Sequence, residues 1–505
     1  MAIKVLTASF SGIEGRLISV EVDIGTGLPC FNIVGLAATS VKESKERVRS
    51  AIINTGYKFP ICRITVNLAP ADLRKEGSHF DLPIAMGILI ASKQIYFKNQ
   101  NQYLFMGELS LSGELRRITG AIPITLEGKN KNIYNFIVPV ENEIECSIVK
   151  GTRIFSFNSL GEVIEFAKYK NKVPYNNNES SFQPHIHGDF SDVAGQESAK
   201  RCIELAAAGG HNLIMFGPAG SGKTMLARRI PGILPMPTYD EALEVTRIYS
   251  VSKNIANCSK LVSARPFRAP HHTISAVALA GGGNNLMPGE ISLAHNGVLY
   301  LDELPEFRRN VLEVLRQPLE DRKILISRAG GTVEYPADIM LVASMNPCLC
   351  GFYGSNRQCT CSSYDIKRYG SRISKPLLDR IDMFTFVNSV PYNEIKYNNK
   401  CDNSESIRRR VETARKIQRE RLSDYGLTLN SQMDTSLIKK FCHLNPKAAG
   451  LMEKVYNRYG ISTRSYGRIL MVSRTIADLC TRDEISASDI IEALQYRKYI
   501  NEEII

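Results

Sequence analysis

The stretch that decides the fold is HNLIMFGPAGSGKTMLARRI, residues 211–230. Its apolar run, residues 213–216, has the length of a short buried strand, and a helical pattern begins directly after Gly222. Between them lies Gly217-x-x-x-x-Gly222-Lys223-Thr224, which is the P-loop spacing in the context that a P-loop requires. A surface glycine loop is the alternative interpretation, and the flanking strand and helix disfavour it.

The eight P-loop positions are candidate contacts to a nucleotide. Glycines let backbone N–H groups turn toward phosphate oxygens, and the following helix aims its positive end at the same charge. Lys223 is expected to reach the β- and γ-phosphates, and the Thr224 hydroxyl is expected to ligate Mg²⁺. The predicted cofactors are therefore ATP and Mg²⁺, with the phosphates held by Gly217, Pro218, Ala219, Gly220, Ser221, Gly222, Lys223 and Thr224.

A second apolar run, GVLYLDE at residues 297–303, ends in two acids. A buried strand that delivers Asp302 to the Mg²⁺ shell and Glu303 to a water is the Walker B arrangement. Such a strand is common by itself, but it is specific when it follows a P-loop by about 80 residues. A third apolar run, residues 339–343, leads to Asn346, whose amide would orient the attacking water. Asn346 as a plain turn residue before a proline is the alternative.

Composition and charge limit the class of protein. The 505 residues predict about three domains. With 44% hydrophobic and 23% charged residues, the chain is neither disordered nor a coiled-coil rod. No apolar run approaches the length of a membrane span and no secretory signal is visible, so we expect a cytoplasmic protein. Lys and Arg exceed Asp and Glu by 63 to 51, and the resulting charge of +12 favours a polyanionic partner, with nucleic acid as the first candidate.

Changes in pattern along the chain predict its domains. Residues 1–170 mix strand and helix patterns in an α+β manner, and the polar, asparagine-rich residues 171–188 are expected to form a linker. Residues 189–391 alternate strands and helices, which is typical of an α/β domain with a parallel sheet. Residues 392–505 show only helical periods, with a capping box at Ser486 to Asp489, and we expect a helical lid.

Several stretches resemble the magnesium-chelatase-like AAA+ ATPases, and specifically the ComM/YifB competence-protein family. They are residues 192–224 (DVAGQESAKRCIELAAAGGHNLIMFGPAGSGKT), RAPHHTISAVALAGGG, PGEISLAHNGVLYLDELPEF, NPCLCGFYG, SRISKPLLDRID, SRTIADL and the opening GIEGRLISVEVDIGTGLPCFNIVGLA. The resemblance implies sensor 1 at Asn346, the arginine finger at Arg380 and sensor 2 at Arg464, with Arg468 as the fallback. It also implies a ring, expected to be a homohexamer, because the finger acts in trans.

In that family the opening domain is similar to the Lon protease domain, which uses a Ser-Lys dyad. Aligning APADLRKEGSHFDLPIA with the protease motif places His79 at the nucleophile position and Ser78 one place early. Aligning GELSLSGELRRITGAIPI places Ile122 at the lysine position, and an isoleucine cannot activate a hydroxyl. We therefore expect a binding or assembly module that is not a protease.

Two further segments are candidates for a DNA channel. The stretch KILISRAGGTVEYPADIM predicts a hairpin around Ala329-Gly330-Gly331, and such a hairpin faces the pore in related ring helicases. Arg328 near its tip is a candidate phosphate contact, with a solvated side chain as the alternative. Residues 276–296 resemble the helix-2 insertion of the same branch, and His271 and His272 at its entrance are expected to be structural.

Four of the 12 cysteines, Cys348, Cys350, Cys359 and Cys361, lie within 14 positions. A tetrahedral Zn²⁺ site is one interpretation, although Cys-x-Cys is tighter than the usual Cys-x₂₋₄-Cys turn. Small residues in an ordered loop are the other.

The leading hypothesis is a hexameric, ATP-driven DNA motor that acts on single-stranded or branched DNA. It would promote branch migration in recombination during natural transformation. The alternative is a chelatase-type AAA+ motor that remodels a protein partner. The front segment of 170 residues disfavours this alternative, because such motors normally lack it. An ATP-dependent protease is disfavoured by His79 and Ile122.

Overall fold

The computed structural model describes residues 2–73, 75–176, 188–252, 260–283, 286–328, 331–354, 357–390 and 402–497. Most of the predicted linker, 177–187, and the predicted hairpin tip at Ala329 and Gly330 lie outside the described residues. Contacts divide the chain into two units: the first comprises residues 1–182 and 239–262, and the second comprises residues 183–238 and 263–505.

A seven-stranded sheet forms the centre of the first unit, in the order β3-β4-β2-β1-β5-β8-β9. Strand β2 pairs antiparallel with β1 and β4, and the other neighbours are parallel. The strands are β1 (Ile3–Ser11), β2 (Glu14–Gly25), β3 (Cys30–Val34), β4 (Arg63–Ala69), β5 (Tyr103–Phe105), β6 (Glu108–Leu109), β7 (Leu115–Arg116), β8 (Asn135–Pro139) and β9 (Arg153–Phe157). The helices are α1 (Thr39–Lys42), α2 (Ser44–Asn54), α3 (Asp81–Ala91), α4 (Ala121–Asn130), α5 (Glu143–Ser147) and α6 (Leu160–Tyr169).

The core of the first unit follows from two sequence patterns. Apolar residues alternate along β2, so Ile18, Val20 and Val22 all face inward and are fully buried. The apolar run that forms α3 is buried from Asp81 to Ile90, as its uniform hydrophobicity predicts. Its one charged residue, Asp81, accepts a hydrogen bond of 2.7 Å from Arg47 Nε.

The second unit begins with α7 (Glu197–Gly209), β10 (Leu213–Phe216) and α8 (Lys223–Ile233). The next helix, α9 (Tyr239–Val251), lies within the predicted core range 189–391 but packs in the first unit instead. There, Leu243 of α9 packs against buried Ile122, Ile148 and Val149, so its apolar face is covered by α4 and the residues after α5.

The second unit then continues with β11 (Phe267–Arg268), α10 (Ala276–Ala280), β12 (Gly281–Gly282), β13 (Met287–Pro288), α11 (Glu290–Leu293), β14 (Val298–Leu301), α12 (Arg309–Glu313), α13 (Pro318–Asp321), β15 (Lys323–Arg328), β16 (Gly331–Pro336), β17 (Met340–Met345), α14 (Ser363–Gly370), α15 (Lys375–Leu378) and β18 (Met383–Phe386). It closes with α16 (Ser404–Leu422), α17 (Thr435–Phe441), α18 (Pro446–Tyr459), α19 (Thr463–Leu479) and α20 (Ala487–Gln495).

The sheet of the second unit has five strands in the order β11-β14-β17-β10-β18, and every neighbouring pair is parallel. This confirms the predicted α/β fold with a parallel sheet followed by helices. All carboxyl ends of the strands therefore meet at one edge of the sheet, which is where ligands bind in such folds. Along β10, Leu213 pairs with Val342 of β17 and with Met383 of β18.

The closing helices share one hydrophobic core with the parallel sheet. In α16 the predicted helical period holds, because Ile407, Val411 and Ala414 are all buried. The predicted capping box opens α20, with Ser486 and Asp489 bonded reciprocally. Within the parts of the chain that are described, no helix combines the length and the apolar character needed to cross a membrane.

Candidate functional site

The P-loop connects β10, which is buried throughout, to α8, which begins at Lys223. Gly222 has a φ of 93°, a backbone conformation that L side chains rarely adopt. At Gly217 a Cβ would lie 2.2 Å from the carbonyl oxygen of Val387, so only glycine fits there. Ala219 and Gly220 are exposed at the tip of the loop. The structure therefore places an open, glycine-dependent loop at the carboxyl end of a central strand.

The Lys223 ammonium lies over this loop. Its Nζ donates to the carbonyl oxygens of Gly217 at 2.8 Å and Pro218 at 2.9 Å, and to Asn346 Oδ1 at 3.3 Å. Burial lowers the pKa of Lys223 to about 8, although the negative charges of Asp302 and Glu303 oppose the shift. The structure thus joins the predicted phosphate lysine to the predicted sensor at the ends of two neighbouring strands.

Thr224 and Asp302 also meet, because β10 and β14 lie on either side of β17. Thr224 Oγ1 donates to Asp302 Oδ2 at 2.8 Å, and the Glu303 backbone N–H donates to Asp302 Oδ1 at 3.1 Å. Burial would raise the pKa of Asp302, but hydrogen bonds from Ser344, Thr224 and Tyr300 outweigh it and hold that pKa below its usual value. A hydroxyl beside an ionised carboxylate is a donor set that suits Mg²⁺.

Two residues that the sequence did not single out support this pair. The Tyr300 hydroxyl lies 3.2 Å from Thr224 Oγ1 and 3.0 Å from Ser344 Oγ, and Ser344 donates to Asp302. Tyr300 is 2% exposed, so its hydroxyl depends on these neighbours for hydrogen bonds. The available signal was a tyrosine inside an otherwise aliphatic strand, because a buried phenol needs a polar partner.

Glu303 follows Asp302 in a left-handed conformation, with a φ of 54°. Its side chain is 54% exposed, and Oε2 lies 3.5 Å from Nδ1 of His272. The rings of His271 and His272 are 4.0 Å apart between centroids, and His271 Nδ1 lies 3.0 Å from Thr273 Oγ1. His272 thus contacts the predicted catalytic carboxylate directly, a contact that sequence spacing did not reveal.

The two predicted arginines lie at the other end of the sheet. Arg380 precedes β18, which pairs parallel with β10, so β10 separates it from the P-loop by roughly 13 Å of strand. Arg380 Nη2 lies 2.8 Å from Glu320 Oε2, and Arg464 Nη2 lies 2.6 Å from Glu320 Oε1. One carboxylate therefore holds the predicted finger and the predicted sensor 2 side by side, away from the P-loop of their own chain.

Arg468 has a different environment from Arg464. Its Nη1 lies 2.5 Å from Asp382 Oδ1, and Asp382 is buried. Burial would raise the pKa of Asp382, but the Arg468 charge, the His211 ring at 3.6 Å and a hydrogen bond from the Asn212 N–H hold that pKa well below its usual range. Arg468 is thus committed to an internal ion pair, whereas the Arg464 side chain is 48% exposed.

The predicted hairpin forms from β15 and β16, which pair antiparallel from Lys323 with Pro336 to Arg328 with Gly331. It packs against the predicted insertion, because the Tyr335 hydroxyl donates to the carbonyl oxygen of Leu286 at 2.8 Å. Arg328 is exposed at the end of β15. The two predicted channel segments are therefore neighbours on one surface.

The four cysteines come together after β17. The Sγ atoms of Cys348, Cys350 and Cys359 lie 3.4 to 3.7 Å apart, and all four Sγ atoms, including that of Cys361, lie within 4.8 Å of one another. Cys348 is buried and the other three are partly exposed. Such a group of four thiols could hold one metal ion.

The positions aligned with the protease dyad lie in the first unit, where none of them forms a serine-lysine pair with a described residue. Ser78 donates its hydroxyl hydrogen to Glu108. His79 is buried, its Nε2 has no hydrogen-bond partner among the described residues, and burial lowers its pKa to about 4. Ile122 is fully buried in a hydrophobic cluster.

The sequence is similar to known protein families. The family model "Magnesium chelatase, subunit ChlI" matches residues 189–395. The models "Subunit ChlI of Mg-chelatase" and "Magnesium chelatase, subunit ChlI C-terminal" match residues 20–142 and 401–497. These matches together cover most of both units.

Several relatives match nearly end to end. The chain is 44% identical over 495 residues to the competence protein ComM of Haemophilus influenzae, which covers 97% of this chain and 96% of ComM. It is 42% identical over 492 residues to YifB of Escherichia coli K12, with 97% and 96% covered. The magnesium-chelatase 67 kDa subunit of Chlorobaculum tepidum is 28% identical over 162 residues, which are 31% of this chain and 23% of that subunit. The chain therefore belongs to the ComM/YifB family of magnesium-chelatase-like AAA+ proteins.

Proposed function

We propose that this chain is the subunit of a homohexameric, ATP-driven DNA motor that promotes branch migration during natural transformation. The observation that carries the proposal is the division of the ATPase machinery between two ends of one sheet. Lys223, Asp302 and Asn346 lie at the carboxyl ends of the strands, whereas Arg380 and Arg464 lie at the opposite end. A ring brings the arginines of one subunit to the P-loop of the next.

The residues at the carboxyl ends have separate tasks in hydrolysis. The P-loop amides and Lys223 bind phosphate oxygens, and Thr224 with Asp302 would hold Mg²⁺, which when bound neutralises phosphate charge. Glu303 orients the attacking water and accepts its proton, and Asn346 positions the same water. Because His272 contacts Glu303, it sets where that carboxylate points between turnovers.

The arginine pair completes the site from a neighbouring subunit. The planar guanidinium of Arg380 can stabilise charge that develops on the γ-phosphate. In the single chain it is 12% exposed and paired with Glu320, which also holds Arg464. Ring assembly would transfer both arginines from this carboxylate to the phosphates, so hydrolysis depends on assembly.

DNA is the proposed substrate of the motion, in single-stranded or branched form. The hairpin and the insertion share one surface, and Arg328 is exposed there. The chain carries a net charge of +12, and its relative ComM is named a competence protein. Such a motor acts in the cytoplasm. The first unit, which we propose to be Lon-like, serves as a binding or assembly module, and the four cysteines hold a structural Zn²⁺.

A chelatase-type motor that remodels a protein partner is the alternative. The match to the magnesium-chelatase model over residues 189–395 favours it. The relatives that match over 97% of the chain include a competence protein, whereas the chelatase subunit matches over 31%. The DNA motor therefore has the stronger support.

The test measures ATP turnover with and without single-stranded and branched DNA, and DNA affinity at several salt concentrations. We expect stimulated turnover and an affinity that falls steeply with salt, because basic side chains that bind phosphates release counterions. Arg328→Ala should reduce the stimulation and leave basal turnover intact. Arg409→Ala is the matched control, because it removes the same charge from an exposed ion pair on α16. Absence of stimulation, or an affinity that stays flat with salt, would contradict the DNA motor.

A further inference from the structure

The four-cysteine cluster has the dimensions of a tetrahedral metal site. Four thiolates at about 2.3 Å from a central Zn²⁺ lie about 3.8 Å apart. The Sγ separations among Cys348, Cys350 and Cys359 are 3.4, 3.5 and 3.7 Å. A disulfide would need about 2.05 Å. The thiols are therefore grouped for a shared ion and are not paired covalently.

A backbone amide also points at the cluster. The Tyr353 N–H lies 3.4 Å from Cys348 Sγ. Two Cys-x-Cys turns present sulfur ligands from opposite ends of one loop.

This loop also contacts the nucleotide site. Gly351 directly follows Cys350, with a φ of 78°, and its N–H closes the first turn by donating to the Cys348 carbonyl oxygen at 3.1 Å. Its own carbonyl oxygen accepts the N–H of Ala219, in the P-loop, at 3.3 Å. A Cβ on Gly351 would lie 3.5 Å from Ala219 Cβ and 4.0 Å from Cγ of Asn346. One glycine of the cysteine loop therefore bonds to the P-loop and lies close to the predicted sensor.

We infer that Zn²⁺ in this site holds Gly351 against the P-loop, so that zinc binding and nucleotide binding are coupled. The inference rests on the proposed nucleotide site at Lys223 and extends it. The metal fixes the turn at Cys348 and Cys350, and the turn fixes the Ala219 amide and the position of Asn346. Loss of zinc frees the loop. Nucleotide binding must then also order the P-loop, and this cost weakens the observed nucleotide affinity. Linkage requires the reverse effect as well, so nucleotide must strengthen zinc binding by the same factor.

The experiment uses full-length protein purified without a metal-affinity tag. Metal analysis gives the zinc content, and replacement by Co²⁺ gives an absorption spectrum that identifies tetrahedral thiolate ligands. Affinity for the fluorescent nucleotide mant-ADP with Mg²⁺ is then measured for the zinc-bound, zinc-depleted and zinc-restored protein, with folding checked by circular dichroism. We expect one zinc per chain, a Kd that rises about fivefold or more on depletion, and recovery on restoration.

Two variants separate the metal from the contact. Gly351→Ala keeps all four thiols but strains the turn at its positive φ, so zinc content should stay at one per chain while the Kd rises several-fold. Cys480→Ser, at an exposed cysteine outside the cluster, is the matched control and should change neither quantity. A paired Cys348→Ser and Cys359→Ser variant should lose zinc.

Each outcome decides the inference. Zinc well below one per chain, unchanged in the paired serine variant, would overturn the site. Zinc at one per chain with equal Kd before and after depletion, or a Gly351→Ala protein that binds mant-ADP like the wild type, would overturn the coupling. A zinc-bound protein that binds no mant-ADP would overturn the nucleotide site itself and the coupling with it. Failure of DNA to stimulate ATP turnover would leave both metal and coupling standing.

Discussion

The lowered pKa of Lys223 predicts how nucleotide affinity depends on pH. Burial lowers its pKa to about 8 in the free protein, whereas phosphate oxygens at its Nζ favour the charged ammonium. Below that pKa the lysine is already charged, and affinity should not change with pH. Above it, binding must first take up a proton, so the Kd should rise. Between about pH 7 and about pH 9 a pKa of about 8 predicts about tenfold weaker binding.

The assay is a titration of mant-ADP in the presence of Mg²⁺ at several pH values over this range. Lys223→Arg is the control, because a guanidinium stays charged throughout, and its profile should be flat even if its affinity is lower. A wild-type Kd that changes less than about twofold would refute the reasoning that burial lowers this pKa. Equal slopes for the wild type and Lys223→Arg would assign the pH dependence to another group.

Five further substitutions test the proposed roles. Lys223→Ala should weaken nucleotide binding, whereas Glu303→Gln should retain ATP and stop its hydrolysis; equal turnover in wild type and Glu303→Gln would contradict the assignment of Glu303. Arg380→Ala should abolish turnover and keep ATP binding, and mixing it with Lys223→Ala protein should restore part of the turnover; none despite confirmed mixed rings would contradict a finger acting in trans. Tyr300→Phe removes a hydroxyl that hydrogen-bonds to Thr224 and Ser344, which should weaken the proposed Mg²⁺ site by about 1 kcal/mol. The Mg²⁺ concentration for half-maximal turnover should then rise about fivefold, and an unchanged value would contradict this role of Tyr300. His272→Ala frees the carboxylate of Glu303, so kcat should change while the KM for ATP stays constant; an unchanged kcat would show that the contact is without effect.

Local patterns were enough to predict the P-loop strand, the Walker B strand and the hairpin. Each of these depends on neighbours within about ten residues, which periodicity and turn residues reveal. Tyr300 and Ser344 were missed because their importance depends on hydroxyl contacts between strands. Glu320 was missed because no sequence motif distinguishes it from the other acidic residues among the 51 in the chain. Only its contacts with Arg380 and Arg464 single it out.

Domain boundaries are also only partly predictable from sequence patterns. The alternation of strands and helices predicted a continuous core over residues 189–391, yet α9 within that range packs in the first unit. Its amphipathic pattern is the same whichever core covers it, so sequence reports that a face is apolar and not which surface it meets.

The sequence by itself was enough to predict the chemistry proposed for this protein: a phosphate loop, an acidic strand end and a polar sensor, because each of these motifs is local. Only the tertiary structure decided which of the predicted site residues lie together and which lie at opposite ends of the parallel sheet. Parallel pairing of β10 with β17 and β18, strands more than 120 residues apart in the chain, places Lys223 beside Asn346 and sends Arg380 to the opposite end. It also seats Gly351 of the cysteine loop against Ala219. Such contacts arise from strand register and close packing between distant segments, which no local pattern encodes.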